Sequence, residues 1–187
     1  MRHGVIKIVV LIIVLMLVGS ICSCAKEKQQ EIDASRVRVY FSPQGGCTEA
    51  IVAEINQAKS EIKIQAYSFT SKPIAHAIAD ASGRNVRVEI ILDKSNRSDR
   101  YSAADFTTHK GISTYIDDRH NIAHNKIMII DRETVITGSF NFSRAAEESN
   151  AENLLIIKNR ELAGTYLQNW QQHRQHSDLY EVRQGRG

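Results

Sequence analysis

From residue 36 onward the chain alternates short β-branched runs with segments of helical period, and that alternation most restricts what it can fold into. Val37-Arg38-Val39-Tyr40-Phe41 reads as a strand, and the turn from Pro43 to Gly46 leads into a helix from Thr48 to about Ala58. Ile62 to Phe69 is the next strand, with Ile62, Ile64 and Ala66 turned inward. Lys72 to Ala81 is a helix, with Pro73 in its first turn and Gly83 past its end. Val86 to Asp93 is a strand. A polar stretch from Lys94 to Tyr101 runs into a helix ending at His109, and Gly111 separates it from a short strand, Ile112 to Ile116. Two close strands, Lys126 to Ile130 and Thr134 to Thr137, are followed by Asn153 to Lys158 and a closing helix from Glu161 to about His173. Such elements bury their apolar sides by layering, so the expected class is α/β: a mixed, mostly parallel sheet flanked by helices on both faces. No internal repeat is visible.

The first 24 residues follow other rules. A basic start, MRHG, precedes an apolar run from Val5 to Val18 broken only by Lys7, the pattern of an export signal. The run from Ile8 to Val18 is short beside the roughly 20 residues a membrane span needs, which favours a signal, while an uncleaved anchor with Lys7 snorkelling is the other reading. Ile21-Cys22-Ser23-Cys24 is similar to a bacterial lipobox, in which Cys24 would carry lipid; the alternative is an ordinary signal whose cysteines are discarded. Residues 25–35, which include KEKQQEIDAS, read as a polar tether, and 36–187 as one catalytic-sized domain. These features place the protein outside the cytoplasm, in a bacterial periplasm or cell envelope, with membrane attachment through the N-terminus as one reading. Beyond residue 24 only Cys47 remains, so no internal disulfide is expected there.

The leader also holds most of the excess charge. Without Arg2 and Lys7 the chain has 22 basic residues against 21 acidic ones, a formal net charge of +1. A nearly neutral domain gives no electrostatic argument for or against a polyanionic partner, because binding one needs a local basic groove rather than net charge.

Chemistry concentrates in one segment. His124, Lys126, Asp131, Gly138, Ser139 and Asn141 form the pattern H-x-K-x4-D-x6-G-S-x-N. Six fixed positions arise by chance on the order of once in a hundred million start points at average residue usage. This pattern resembles the HKD motif of the phospholipase D superfamily, and its surroundings, from about Val37 to Trp170, are similar to the small bacterial endonuclease branch. The resemblance implies a phospholipase D/nuclease-like sandwich. It also implies attack by a histidine on phosphodiester phosphorus, a phosphohistidine opened by water, and no metal or other cofactor.

The residues suit that chemistry. Strand period two would put His124 and Lys126 on one face, before one phosphate. A neutral imidazole is nucleophilic, and a carboxylate on its far nitrogen would fix the tautomer; the resemblance assigns that carboxylate to Glu152. Lys126 offers a compact cation to the nonbridging oxygens, and Ser139 and Asn141 add neutral donors. Gly138 permits close backbone approach and supports the motif. Asp131, an odd seven residues from His124, would face away from the phosphate, so its expected role is structural, holding the turn from Asp131 to Thr134 by side-chain to backbone hydrogen bonds.

Other candidates are weaker. His120 and His124 lack the acidic partner of a zinc-protease motif, and His173 and His176 are expected to face solvent at the end of the last helix, so no metal is expected. Cys47 reads as a buried thiol rather than a nucleophile. Lys94, Arg97 and Arg100 could line a polyanion groove or form a solvated loop.

Displacing an alkoxide requires a nucleophile and a proton donor on opposite sides of phosphorus, which one histidine cannot supply. With a single motif in the chain, the expectation is a homodimer whose active site lies at the twofold interface, the partner's His124 acting as general acid. The expected activity is nonspecific hydrolysis of DNA or RNA. The alternatives are a phospholipase D acting on lipid head groups and a non-catalytic, anchored nucleic-acid-binding module.

Overall fold

The computed structural model describes residues 36–182. The leader with Cys24, the tether over 25–35 and residues 183–187 lie outside the described residues. In chain order the elements are β1 (Val37–Ser42), α1 (Cys47–Gln57), β2 (Glu61–Ala66), α2 (Lys72–Gly83) and β3 (Arg87–Asp93). A 3₁₀ turn (Lys94–Arg97), α3 (Ala104–His109), β4 (Ser113–Asp117), β5 (Lys126–Ile130) and β6 (Thr134–Gly138) follow. The chain continues through α4 (Arg144–Glu148), β7 (Glu152–Lys158), α5 (Arg160–Gln175) and a short β8 (Asp178–Leu179).

All eight strands join one sheet in the order β1-β7-β6-β5-β2-β3-β4-β8. The sheet is mixed, as expected, but its parallel pairs are β2–β3 and β3–β4, and the remaining pairs are antiparallel. The reason lies in the connections: a helix crossover returns the chain parallel, whereas β5 and β6 are joined by a tight hairpin that must reverse it. In that hairpin Asp131 and Arg132 both have left-handed backbone, with φ of 53° and 55°, and the Glu133 amide donates to the Ile130 carbonyl at 3.0 Å. Two successive positive φ values match the right-handed twist of the flanking strands.

Helices cover both faces. On one side α1 and α2, with parts of α3 and α4, bury Ile51, Ile55, Ile74 and Ile78 against Ile62, Ile64, Ile90, Met128 and Ile136. On the other side α5 lays Ala163, Leu167 and Trp170 on Ile91, Tyr115, Ile127, Ile129 and Val135. Their spacing of three and four residues makes one helical stripe, and the Trp170 indole N–H is satisfied by the Ile64 carbonyl at 2.8 Å. Because β2 is covered on both faces, Lys63 and Gln65 are buried along with Ile62 and Ile64, so its alternation does not separate core from solvent. Among the described residues no helix is long and apolar enough to cross a membrane.

Strand directions determine where chemistry can gather. The carboxyl ends of parallel β2, β3 and β4 lie beside the amino ends of β5 and β7 and the carboxyl end of β6. Ala66 pairs with Lys126, Gly138 with Leu154, and Ser42 with Glu152. At that end the loops are not tied into the ladder, and their side chains are available to a ligand.

Candidate active site

Lys126 opens β5, and its side chain is buried. Burial pulls its ammonium below the usual lysine value, and the nearby Glu152 carboxylate partly offsets this. Its Nζ donates to the His124 carbonyl at 2.8 Å and stands 5.1 Å from the centre of the Tyr67 ring. An ammonium has three donors, and among the described residues this one has a single hydrogen-bond acceptor.

His124 precedes the strand rather than lying on it, so strand parity is not what brings it to Lys126. Tyr67 does: its ring lies 4.7 Å from the exposed imidazole at 54°, and its amide donates to the Asn125 carbonyl at 2.8 Å. The Tyr67 carbonyl in turn accepts from the side chain of buried Asn96 at 2.7 Å. Sequence reasoning did not single out Tyr67. Its signal was position, immediately past the end of an all-buried strand, where a side chain emerges at the sheet's functional end.

Glu152 begins β7, with Lys126 within electrostatic reach. Its carboxylate accepts from Asn150 at 3.1 Å rather than from His124, so the expected orienting bond to the imidazole is not made within the chain. The Ser139 hydroxyl oxygen accepts from the Asn153 amide at 3.0 Å and the Asn153 side chain at 3.3 Å, leaving its own proton for another acceptor. The Asn141 side-chain oxygen is buried without a hydrogen-bond partner among the described residues, so this amide retains unused capacity. Gly138 has φ of 145°, and a Cβ there would stand 2.3 Å from the Asn153 carbonyl oxygen. Its need for glycine is therefore the close approach of β7, a supporting role.

Asp131 is structural, but not through its own turn. Its carboxylate accepts from the backbone amides of Lys59, Ser60 and Glu61 at 2.9, 2.8 and 3.1 Å and from the Ser60 hydroxyl at 2.8 Å. It ties the β5–β6 hairpin to the loop before β2, two segments distant in sequence.

The remaining candidates separate clearly. Cys47 is fully buried, and burial beside Glu147 and Glu49 pushes its thiol up to about 11, an inert state. The basic cluster is engaged rather than open: Lys94 donates to the His120 carbonyl, Arg97 pairs with Asp118 and Asp178, and Arg100 folds onto Tyr101. His173 and His176 do not simply face solvent. Together with His120 they converge on Asp117, the fully buried last residue of β4. Burial alone would raise that carboxyl, but hydrogen bonds from His173, His120 and His176 bring it down to about 2.

A family model described as the PLD-like domain of cardiolipin synthase matches residues 51–174. The chain belongs to the phospholipase D superfamily. It is 46% identical over 140 residues to a protein named phospholipase D from Rickettsia felis, covering 75% of this chain and 70% of the relative. The mitochondrial cardiolipin hydrolase of Canis lupus familiaris is more distant, 24% identical over 79% of this chain and 69% of its own length. Among solved structures, the phospholipase D family member Nuc from Salmonella typhimurium superposes with a TM-score of 0.75 at 37% identity, covering 78% of this chain and 97% of Nuc. NucT from Helicobacter pylori gives 0.72 at 25% identity, over 77% of this chain and 98% of NucT. The chain thus shares the mixed α/β fold and the phosphodiesterase class of the superfamily.

Proposed function

We propose that the protein is a nonspecific endonuclease that hydrolyses DNA or RNA phosphodiester bonds through a phosphohistidine on His124, with the reacting phosphate held between two protomers. The observation that carries this reading is the buried Lys126 ammonium, which has donors to spare, next to an exposed imidazole held by Tyr67. A cation removed from water and short of acceptors favours an anion at that point. Ser139 and Asn141 contribute neutral hydrogen-bonding groups beside it. In the chemical step an imidazole nitrogen bonds to phosphorus as the bond to the leaving oxygen breaks. That oxygen takes a proton from the partner's His124. Water then attacks phosphorus, the P–N bond breaks, and the water's proton returns to the partner's His124. No step routes through a metal at phosphorus.

Two features support the dimer. Glu152 makes no bond to His124 within one chain, leaving it available across an interface. In addition, β1 is an edge strand whose Val39 and Phe41 are 49% and 67% exposed. They share a sheet face with half-buried Leu155 and Ile157, and this apolar strip reaches the register of Asn153, one residue from Glu152. Exposed contiguous apolar surface of this kind suits association.

Attack on the phosphodiester alone, which every nucleotide shares, fits cleavage of nucleic acid with little sequence preference; the same chemistry would open a phospholipid head group. Lipid hydrolysis is the second reading, supported by the names of the Rickettsia and mammalian relatives. Plasmid nicking and choline release, measured side by side without added divalent cation, separate the two. The His124→Ala chain is expected to lose turnover by about four orders of magnitude while still binding oligonucleotide. A wild-type chain incubated with a defined oligonucleotide and quenched in acid-free conditions should yield a phosphoryl adduct on His124. Unchanged hydrolysis by His124→Ala would end the assignment.

A further inference from the structure

We propose that Asp117, His120, His173 and His176 bind a divalent transition-metal ion, with zinc the best chemical fit, as a closed structural site that anchors the segment leading to His124. One ligand atom from each of the four residues lies within 4.8 Å of all the others. His120 Nδ1 and His173 Nδ1 stand 3.0 and 2.8 Å from Asp117 carboxylate oxygens, and His176 Nε2 stands 3.3 Å away. The three rings pack with centroids 4.9, 5.3 and 5.3 Å apart. Ligands about 2.0–2.1 Å from a tetrahedral zinc are separated from one another by about 3.3 Å, so ligand atoms already within 4.8 Å of one another need to close by no more than about 1.5 Å.

Charge points the same way. Asp117 is fully buried, and the side chains that reach it are the three imidazoles; its other contact is the Arg119 backbone amide at 3.2 Å. A buried carboxylate needs a compensating cation, and no lysine or arginine side chain is paired with it among the described residues. Neutral imidazoles bring dipoles, whereas a dication satisfies the carboxylate and three nitrogen lone pairs together. Three borderline imidazoles joined by one carboxylate suit zinc, unlike the all-oxygen sets preferred by magnesium and calcium. Four protein ligands leave no open position, which is the arrangement of structural rather than catalytic zinc.

The ligands come from two distant parts of the chain. Asp117 ends β4, on the sheet face that α5 covers, His120 lies between β4 and β5, and His173 and His176 close α5 with H-x-x-H spacing. The ion would therefore join the sheet, the last helix and the segment that ends four residues later at His124. Other ties to that segment are the Ala123 amide to the Asp93 carboxylate at 2.7 Å, the Lys94 ammonium to the His120 carbonyl at 3.0 Å and the Arg97–Asp118 pair at 3.6 Å. The role is positional, since none of the four residues belongs to the phosphate-facing group.

The full chain, purified without chelator and passed through metal-free buffer, is expected to retain about one zinc per chain by elemental mass spectrometry. His124→Ala should retain it equally. The double variant His173→Gln/His176→Gln should lose it, and added zinc should no longer raise its melting temperature, whereas stripped wild-type chain should gain roughly 5 °C or more on zinc addition. Replacing zinc with cobalt should give the visible absorption of a four-coordinate ion, a readout that holds if the double variant does not fold. If stripped wild-type chain re-exposed to zinc or cobalt takes up no stoichiometric metal and shows no thermal shift, the cluster is a hydrogen-bonded network and the proposal fails. That failure leaves the reading of His124 untouched, because metal content is measured without turnover. Conversely, hydrolysis unaffected by His124→Ala in a zinc-loaded chain would remove the nuclease reading and leave the metal site standing.

Discussion

Tyr67 brings together the two groups on which the proposed chemistry depends, its ring 4.7 Å from the imidazole of His124 and 5.1 Å from the Lys126 ammonium. Its backbone is held on both sides, by Asn125 and Asn96, so the ring is a fixed platform rather than a mobile lid. Tyr67→Phe keeps the platform, and Tyr67→Ala removes it. Steady-state kinetics on an oligonucleotide should show kcat falling about tenfold for Tyr67→Ala with little change in KM, and near wild-type values for Tyr67→Phe. Equal losses in both variants would mean that the phenol oxygen, not the ring, carries the effect. The motif itself was legible at this scale, because H-x-K-x4-D-x6-G-S-x-N identifies its members by spacing alone. Tyr67 lies 57 positions before His124 in sequence, and nothing local to either residue announces their contact.

Between elements, Asp131 shows how a motif residue can serve the fold. It has left-handed backbone at the hairpin tip and gathers four donors from the loop before β2. Burial alone would push its carboxyl up, but the hydrogen bonds from Glu61, Ser60 and Lys59 outweigh this and hold it below its usual value. A folded-state pKa below the unfolded value of about 3.9 stabilises the fold fully above that pH, and the contribution disappears as pH falls through the folded value. Asp131→Ala should therefore cost about 1–2 kcal/mol near neutral pH, a modest figure because water reaches several of these donors. Urea denaturation of both chains between pH 7 and pH 2 should show the difference shrinking below about pH 4. A difference that stays constant across that range would show that the charge on Asp131 is not what stabilises the junction. The sequence pattern expected a structural Asp131 from an odd offset on a strand. His124 precedes β5 and Asp131 follows it, so the two residues stand at opposite ends of that strand and parity is not what separates them. The pattern pointed to the wrong partners, because Ser60 is 71 positions away and only sheet register makes them neighbours.

At the scale of the whole molecule, the proposed mechanism needs two histidines and the chain carries one motif, so the proposal requires a second copy of the chain. If both His124 side chains of a dimer serve one phosphate, a chain lacking the residue disables its partner as well. Wild-type and His124→Ala chains mixed in equal amounts and allowed to exchange should retain about a quarter of the wild-type activity per total chain, since only that fraction of random dimers keeps both histidines. Independent sites would leave about half. Sedimentation of the same mixtures shows whether dimers are present at the assay concentration.

The sequence alone determined the alternation of strands and helices, the helix starts at α1 and α2, the hairpin and the H-x-K-x4-D motif of the superfamily, because each is written in periodicity or spacing within a few residues. It overstated the parallel share of the sheet, since strand direction depends on which neighbour a strand finds. It also passed over α4 and β8, which are too short to carry a period. Only the tertiary structure decided that β2 is buried on both faces, that Tyr67 joins His124 to Lys126, and that His173 meets Asp117 and His120. On α5 the stripe Ala163, Leu167, Trp170 extends to His173, so its inward direction could have been read. What it would meet there could not, because the sheet face opposite is assembled by pairings between segments far apart along the chain.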